Sequence, residues 1–161
     1  MPLRNDRPFP KRARLKSFGY NGTYAYFVTI LTKDRNCFFK EYQIVEPVIG
    51  FLKESAKKEQ FAIEAFCFMS DHLHLLLIGL SDSADLRSMI KLFKQKSGYW
   101  FKQSNHSNLW HLSYYDHVLR KDEAIKEIVL YILNNPVRTG IVSEYKEYPF
   151  SGSFTMDVTS L

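Results

Sequence analysis

His72-Leu73-His74 sets two imidazoles two positions apart within the stretch Glu64 to Gly79, EAFCFMSDHLHLLLIG. Side chains alternate faces along a strand, so an extended backbone aims both rings at one point, the arrangement a divalent-metal site needs. A plain core reading also fits, with one ring satisfied by a buried hydrogen bond and the other facing solvent. Further on, LYILNNP places Tyr131 and Asn135 four residues apart, hence on one helical face. A rim aromatic and a C-terminal cap ahead of proline have the same appearance. The chemistry on offer is therefore two ring nitrogens, one phenol and one amide, provided the fold gathers them.

The elements that must do so are legible from periodicity. Thr23 to Thr32, TYAYFVTILT, is β-branched and aromatic and predicts a first strand. From Tyr42 to Lys58 apolar residues fall at three and four spacings, predicting an amphipathic helix with Pro47 tolerable only near its start. Phe61 to Met69 predicts a second strand, Ser70-Asp71 a turn, and the histidine stretch a third strand, apolar on both faces as in the middle of a sheet. SDSAD (81–85) offers N-cap residues for a helix from Leu86 to about Gln103, with Leu86, Met89, Ile90, Phe93, Ser97 and Trp100 on its apolar stripe. Tyr114 to Arg120 reads as a fourth strand, with His117 and Arg120 on opposite faces. Asp122 to Asn135 reads as a third helix stopped by Pro136 and Gly140, and the tail through Tyr148-Pro149-Phe150-Ser151-Gly152-Ser153 as irregular. This order matches an α+β, ferredoxin-like split βαβ sandwich: an antiparallel four- to five-stranded sheet, helices on one face, and a C-terminal helix beside it.

The 161 residues suit one domain, 19–161, behind a basic arm, 1–18. An aromatic fraction of 16% argues against disorder throughout. The formal net charge of +5 favours a polyanionic partner. Arg4, Arg7, Lys11, Arg12, Arg14 and Lys16 crowd the arm against Asp6 alone, fitting either a phosphate-tracking arm or a solvated tail. Lys91 and Lys94, with Tyr99, Trp100 and Phe101 nearby, suit nucleic acid as well as a solvated helix face. Cys37 and Cys67 show no zinc-ligand spacing. No signal-peptide core and no membrane-spanning run is evident, so a cytoplasmic protein without a membrane partner is expected.

MSDHLHLLL, LWHLSYYDHVLRKDE, YILNNPVRTGIV and YPFSGS, in this order, resemble the REP-associated branch of the IS200-like, single-tyrosine HUH transposases. The resemblance runs from the first strand to the tail. It implies that His72, His74 and Asn135 are metal ligands for Mg²⁺ or Mn²⁺ and that Tyr131 is the nucleophile. The implied activity is a single-stranded DNA endonuclease and strand transferase passing through a 5′-phosphotyrosine, acting beside hairpin-forming repeats in a bacterial cytoplasm. A homodimer exchanging the last helix is known in part of the family.

Two positions depart from the family's pattern. Asp71 stands where the branch usually has Asn, and either caps the turn or joins the metal's outer shell. His111 stands where Gln is frequent. Arg120, in the YYDHVLR motif, is a candidate DNA contact. The rival readings are a non-catalytic nucleic-acid-binding regulator derived from a transposase, and a phosphodiesterase using water, which has no need of Tyr131.

Overall fold

Five strands form one antiparallel sheet in the order β4-β1-β3-β2-β5, as a computed structural model describes for residues 18–120 and 123–161. The strands are β1, Ala25–Leu31; β2, Phe61–Met69; β3, His72–Gly79; β4, Tyr115–Val118; and β5, Ser151–Gly152. The helices are α1, Tyr42–Lys58; α2, Leu86–Asn105; α3, Ile125–Leu133; and the single turn α4, Asn135–Arg138. The arm's cations, Arg4, Arg7, Lys11, Arg12, Arg14 and Lys16, lie outside the described residues, as does Asp122.

The expected split βαβ plan is present, with the histidine strand at the centre between β1 and β2. β3 separates two apolar layers because its residues alternate. Leu73, Leu75 and Leu77 join the larger core with Val48 and Leu52 of α1 and Ile90 and Phe93 of α2. Leu76 points to the other face, into a smaller core with Ile128, Val129, Ile132 and Leu133 of α3. His72 and His74 share the parity of Leu76 and so face α3.

α2 is capped by Asp85, whose side chain accepts from the Arg87 N–H at 2.9 Å. Its buried stripe runs through Phe93 and Ser97 to Phe101, not Trp100, which is only half-buried. Ser97 makes the difference: its hydroxyl donates to the Phe93 carbonyl and accepts from Trp110 Nε1 at 2.9 Å, seating the indole against this face.

Three expectations need correction. The tail is not irregular throughout, because β5 pairs with Phe66 and Cys67 and the Phe68 N–H donates to the Phe150 carbonyl at 2.8 Å. A two-residue strand has no periodicity to read. The fourth strand ends at Val118, and beyond it Arg120 does not oppose His117: both side chains reach Glu123, at 3.5 and 3.1 Å. The third helix is interrupted, α3 ending at Leu133 and α4 beginning at Asn135. Pro136 lacks the N–H that the Ile132 carbonyl would use, and its ring crowds that carbonyl.

Gly79 is required by a close backbone approach. A Cβ there would lie 2.0 Å from the Gly22 carbonyl oxygen, in the turn that leads into β1. Gly79→Ala is therefore expected to destabilise the chain by about 1–3 kcal/mol, the range for forced overpacking. A urea midpoint unchanged from wild type would show that the turn yields freely.

Candidate active site

His72 and His74 are 2% and 1% exposed, and their ring centroids lie 4.6 Å apart. Each ring is held through Nδ1. His72 Nδ1 meets Asp71 Oδ1 at 2.8 Å, and His74 Nδ1 meets Thr29 Oγ1 at 2.9 Å. Thr29 lies directly across the sheet from His74, so the β1–β3 register supplies that partner. His72 Nε2 is buried with no hydrogen-bond partner among the described residues. A buried ring nitrogen in that state ordinarily costs stability, and a ligand to it removes the cost.

Asp71 is held from both sides. Its Oδ2 accepts from Arg35 Nε at 3.0 Å and lies 2.8 Å from Arg35 Nη2. Burial pushes the Asp71 carboxyl up, but the His72 hydrogen bond and charge, followed by Arg35, outweigh it and hold the group below its ordinary value. A carboxylate depressed in the folded state contributes stability in full above its unfolded value, about 3.9, and loses it as pH falls through the lowered one. Arg35 reaches Asp71 from a turn in which Asp34 and Arg35 both take positive φ, 53° and 57°.

Helix α3 lies over this face of the sheet. Tyr131 is half-buried, and its ring meets Phe27 edge-on at 6.3 Å. Phe27 in turn lies 5.4 Å from His74. One phenylalanine thus touches both the phenol and an imidazole within a single chain. Arg138 folds back from α4: its guanidinium stands 3.8 Å over the Tyr131 ring, and Nη1 donates to the Tyr131 carbonyl at 2.8 Å. Asn135 is fully buried at the start of α4, and neither amide atom has a hydrogen-bond partner among the described residues. A buried, unsatisfied amide is what an oxygen ligand to a hard cation looks like before the cation is counted.

Cys67, paired with His74 across the sheet, is not a thiolate. Burial pushes its thiol strongly up, and the Arg138 charge offsets this only in part. Among the described residues no group of three or more His, Cys, Asp or Glu could hold a metal ion. Two imidazoles with an amide oxygen would together suit Mn²⁺ well and Mg²⁺ adequately.

The remaining sequence candidates sit elsewhere. Lys91 is exposed on α2, across the sheet from the histidines. Lys94 Nζ donates to the carbonyls of His111 and Leu112, at 2.6 and 3.1 Å. Arg120 is exposed beside Glu123. Thr29, Arg35, Phe27 and Arg138 were not singled out from the sequence. Of these only Arg138 carried a signal, as the cation just past the Asn-Pro break.

Asp71→Ala is expected to weaken metal binding at the imidazole pair 10- to 100-fold, the usual cost of losing an outer-shell partner, while Asp71→Asn retains an acceptor for His72. Titration of the metal-free chain with Mn²⁺ reads this directly. Equal affinities for wild type and Asp71→Ala would remove Asp71 from that role.

The sequence profile described as "Transposase IS200 like" matches residues 21–135. An Escherichia coli REP-associated tyrosine transposase is 26% identical over 141 residues, covering 85% of this chain and 79% of that protein. A Haemophilus influenzae protein provisionally named a REP-associated tyrosine transposase is 27% identical over 146 residues, covering 83% and 81%. Among solved structures, a REP-associated tyrosine transposase bound to a REP hairpin superposes with TM-score 0.69 at 20% identity, covering 87% of this chain and 82% of that one. At that identity the likeness is one of fold. No described helix is long and apolar enough to cross a membrane. With the profile spanning β1 to β4, the imidazole pair and the helix that carries Tyr131 and ends before Asn135, the chain belongs to the IS200-like transposase family.

Proposed function

We propose that the protein is a metal-dependent single-stranded DNA endonuclease and strand transferase that works through a 5′-phosphotyrosine at Tyr131. The observation that carries this reading is the paired imidazoles, each gripped through Nδ1, with His72 Nε2 left buried and unpaired and a Tyr-bearing helix laid over the same face. His72, His74 and Asn135 would hold Mg²⁺ or Mn²⁺, which when bound polarises the scissile phosphate and stabilises its developing charge.

The chain's own residues do the rest. Asp71 accepts the Nδ1 proton of His72 and so fixes the tautomer whose Nε2 lone pair can bind a cation. A phenol, with a pKa of about 10, is a weak nucleophile at neutral pH. Arg138 holds the ring in place and keeps a positive charge over the face of the ring whose oxygen must become anionic. The Tyr131 Oη–P bond forms as the bond from phosphorus to the 3′-oxygen breaks. The phenolic proton leaves to solvent, and the departing oxygen takes one up as a 3′-hydroxyl. One phosphodiester replaces another, so rejoining to a different 3′-hydroxyl needs no external energy source.

The shared contact of His74 and Tyr131 with Phe27 supports a nucleophile acting on its own subunit's site, with no helix exchange in a dimer required. The hairpin-bound neighbour supports hairpin DNA as partner. The test is incubation with a 3′-labelled single-stranded oligonucleotide and Mn²⁺. A labelled species that survives denaturant is expected, and cleavage without it would point to water as the nucleophile.

A further inference from the structure

Helix α2 carries a surface that this chemistry leaves unused. Lys91, Gln95, Tyr99 and Lys102 recur at three- and four-residue steps, so they line one face, and all four are exposed. Tyr99 is 72% exposed. It borders a groove of about 440 Å³ whose other wall is the segment from Asn108 to Leu112, and Leu112 is 94% exposed. Two large apolar groups left in water at one groove are the kind of surface that a ligand covers.

The walls are set without a ligand. Lys94 ties down the carbonyls of His111 and Leu112, and Trp110 Nε1 is bonded to Ser97 of α2. Leu86 to Tyr115 contains five Lys and Arg and no Asp or Glu, and of the five Lys96 pairs with Glu54 and Arg87 with Asp85. The Asn108–Leu112 wall is also pinned to the sheet end that carries the imidazoles. His111 N donates to the Leu31 carbonyl and Lys33 N to the Leu109 carbonyl, both at 2.9 Å, and Leu31 faces His72 across β1 and β3.

We propose that this groove seats an unpaired DNA base of a strand that passes the sheet end carrying the imidazoles, with Tyr99 and Leu112 against its faces and Lys91 and Lys102 on the flanking phosphates. An aromatic platform, an apolar cover and cations spaced along a helix are what a single strand uses, whatever its sequence. The proposal rests on the DNA-cleaving reading above and extends it to where the strand lies outside the reacting bond.

The experiment is fluorescence anisotropy of a labelled single-stranded oligonucleotide with the full chain in EDTA, over a series of salt concentrations. Tyr99→Ala is expected to weaken binding about tenfold at every salt concentration, and Leu112→Ala several-fold, while Tyr99→Phe stays within twofold of wild type. Lys102→Ala should instead lower the slope of log K against log salt by about 0.7, one phosphate's share on a single strand. Both apolar positions are exposed, so loss of folding does not explain these effects. If Tyr99→Ala and Leu112→Ala bind within twofold of wild type, the base seat is overturned. It is equally overturned if sedimentation shows that they split a dimer formed by wild type, since the groove is then a contact between copies. Because binding is read without metal, a wild-type chain that binds here yet forms no Tyr131 adduct when Mn²⁺ is supplied refutes the nucleophile and leaves the groove standing.

Discussion

Tyr131→Phe forms no denaturant-resistant adduct with single-stranded DNA and binds the same DNA as wild type does. The substitution removes one oxygen and keeps the ring that meets Phe27 and lies under Arg138, so the packing of α3 on the sheet is preserved. Loss of a nucleophile commonly lowers turnover by a factor on the order of 10⁴ or more. Because the linkage is to the 5′ side of the downstream fragment, a 3′ label follows the protein and a 5′ label does not. A Phe variant that still carried the 3′ label would move the nucleophile to another residue. Retained cleavage without adduct would support the water-using phosphodiesterase.

His72→Gln and His74→Gln each lose Mn²⁺ affinity by a factor on the order of 100 or more, read by titration of the metal-free chain without DNA. Removing an outer-shell partner costs 10- to 100-fold, and losing a ligand should cost at least as much. Glutamine is preferred to alanine because both sites are buried: alanine would open a cavity and leave Thr29 Oγ1 without His74 Nδ1. Equal Mn²⁺ binding by wild type and both variants would return the imidazoles to the core reading, in which they satisfy Asp71 and Thr29 and nothing else. The two predictions are independent, since the first reads covalent chemistry and the second reads binding alone.

Arg138 bears on Tyr131 alone. It stacks on the Tyr131 ring and bonds the Tyr131 carbonyl, yet it lies beyond the break that ends α3. Had the helix continued, side chains at positions 131 and 138 would still have shared a face, two turns apart and out of reach of ring stacking. Across the interruption before Pro136 the Arg138 side chain reaches back to set its guanidinium over the phenol.

What the sequence determined by itself was set by local spacing. Residues two apart on a strand share a face, so the pairing of His72 with His74 followed once β3 was recognised, and its apolar run on both faces put it in the middle of the sheet. The 3.6-residue repeat likewise announced α1 and α2. What only the tertiary structure decided was which partners complete the site. Asp71 with Arg35, Thr29 with His74, and Tyr148 with the Phe68 carbonyl are separated by 36, 45 and 80 residues. Spacing at that range encodes nothing, because strand register and helix placement set such distances, and these are settled by burial of the whole core. The same holds for Tyr99 and Leu112, ordinary residues in sequence that become the two sides of one groove only when Trp110 and Lys94 fasten the loop to the helix.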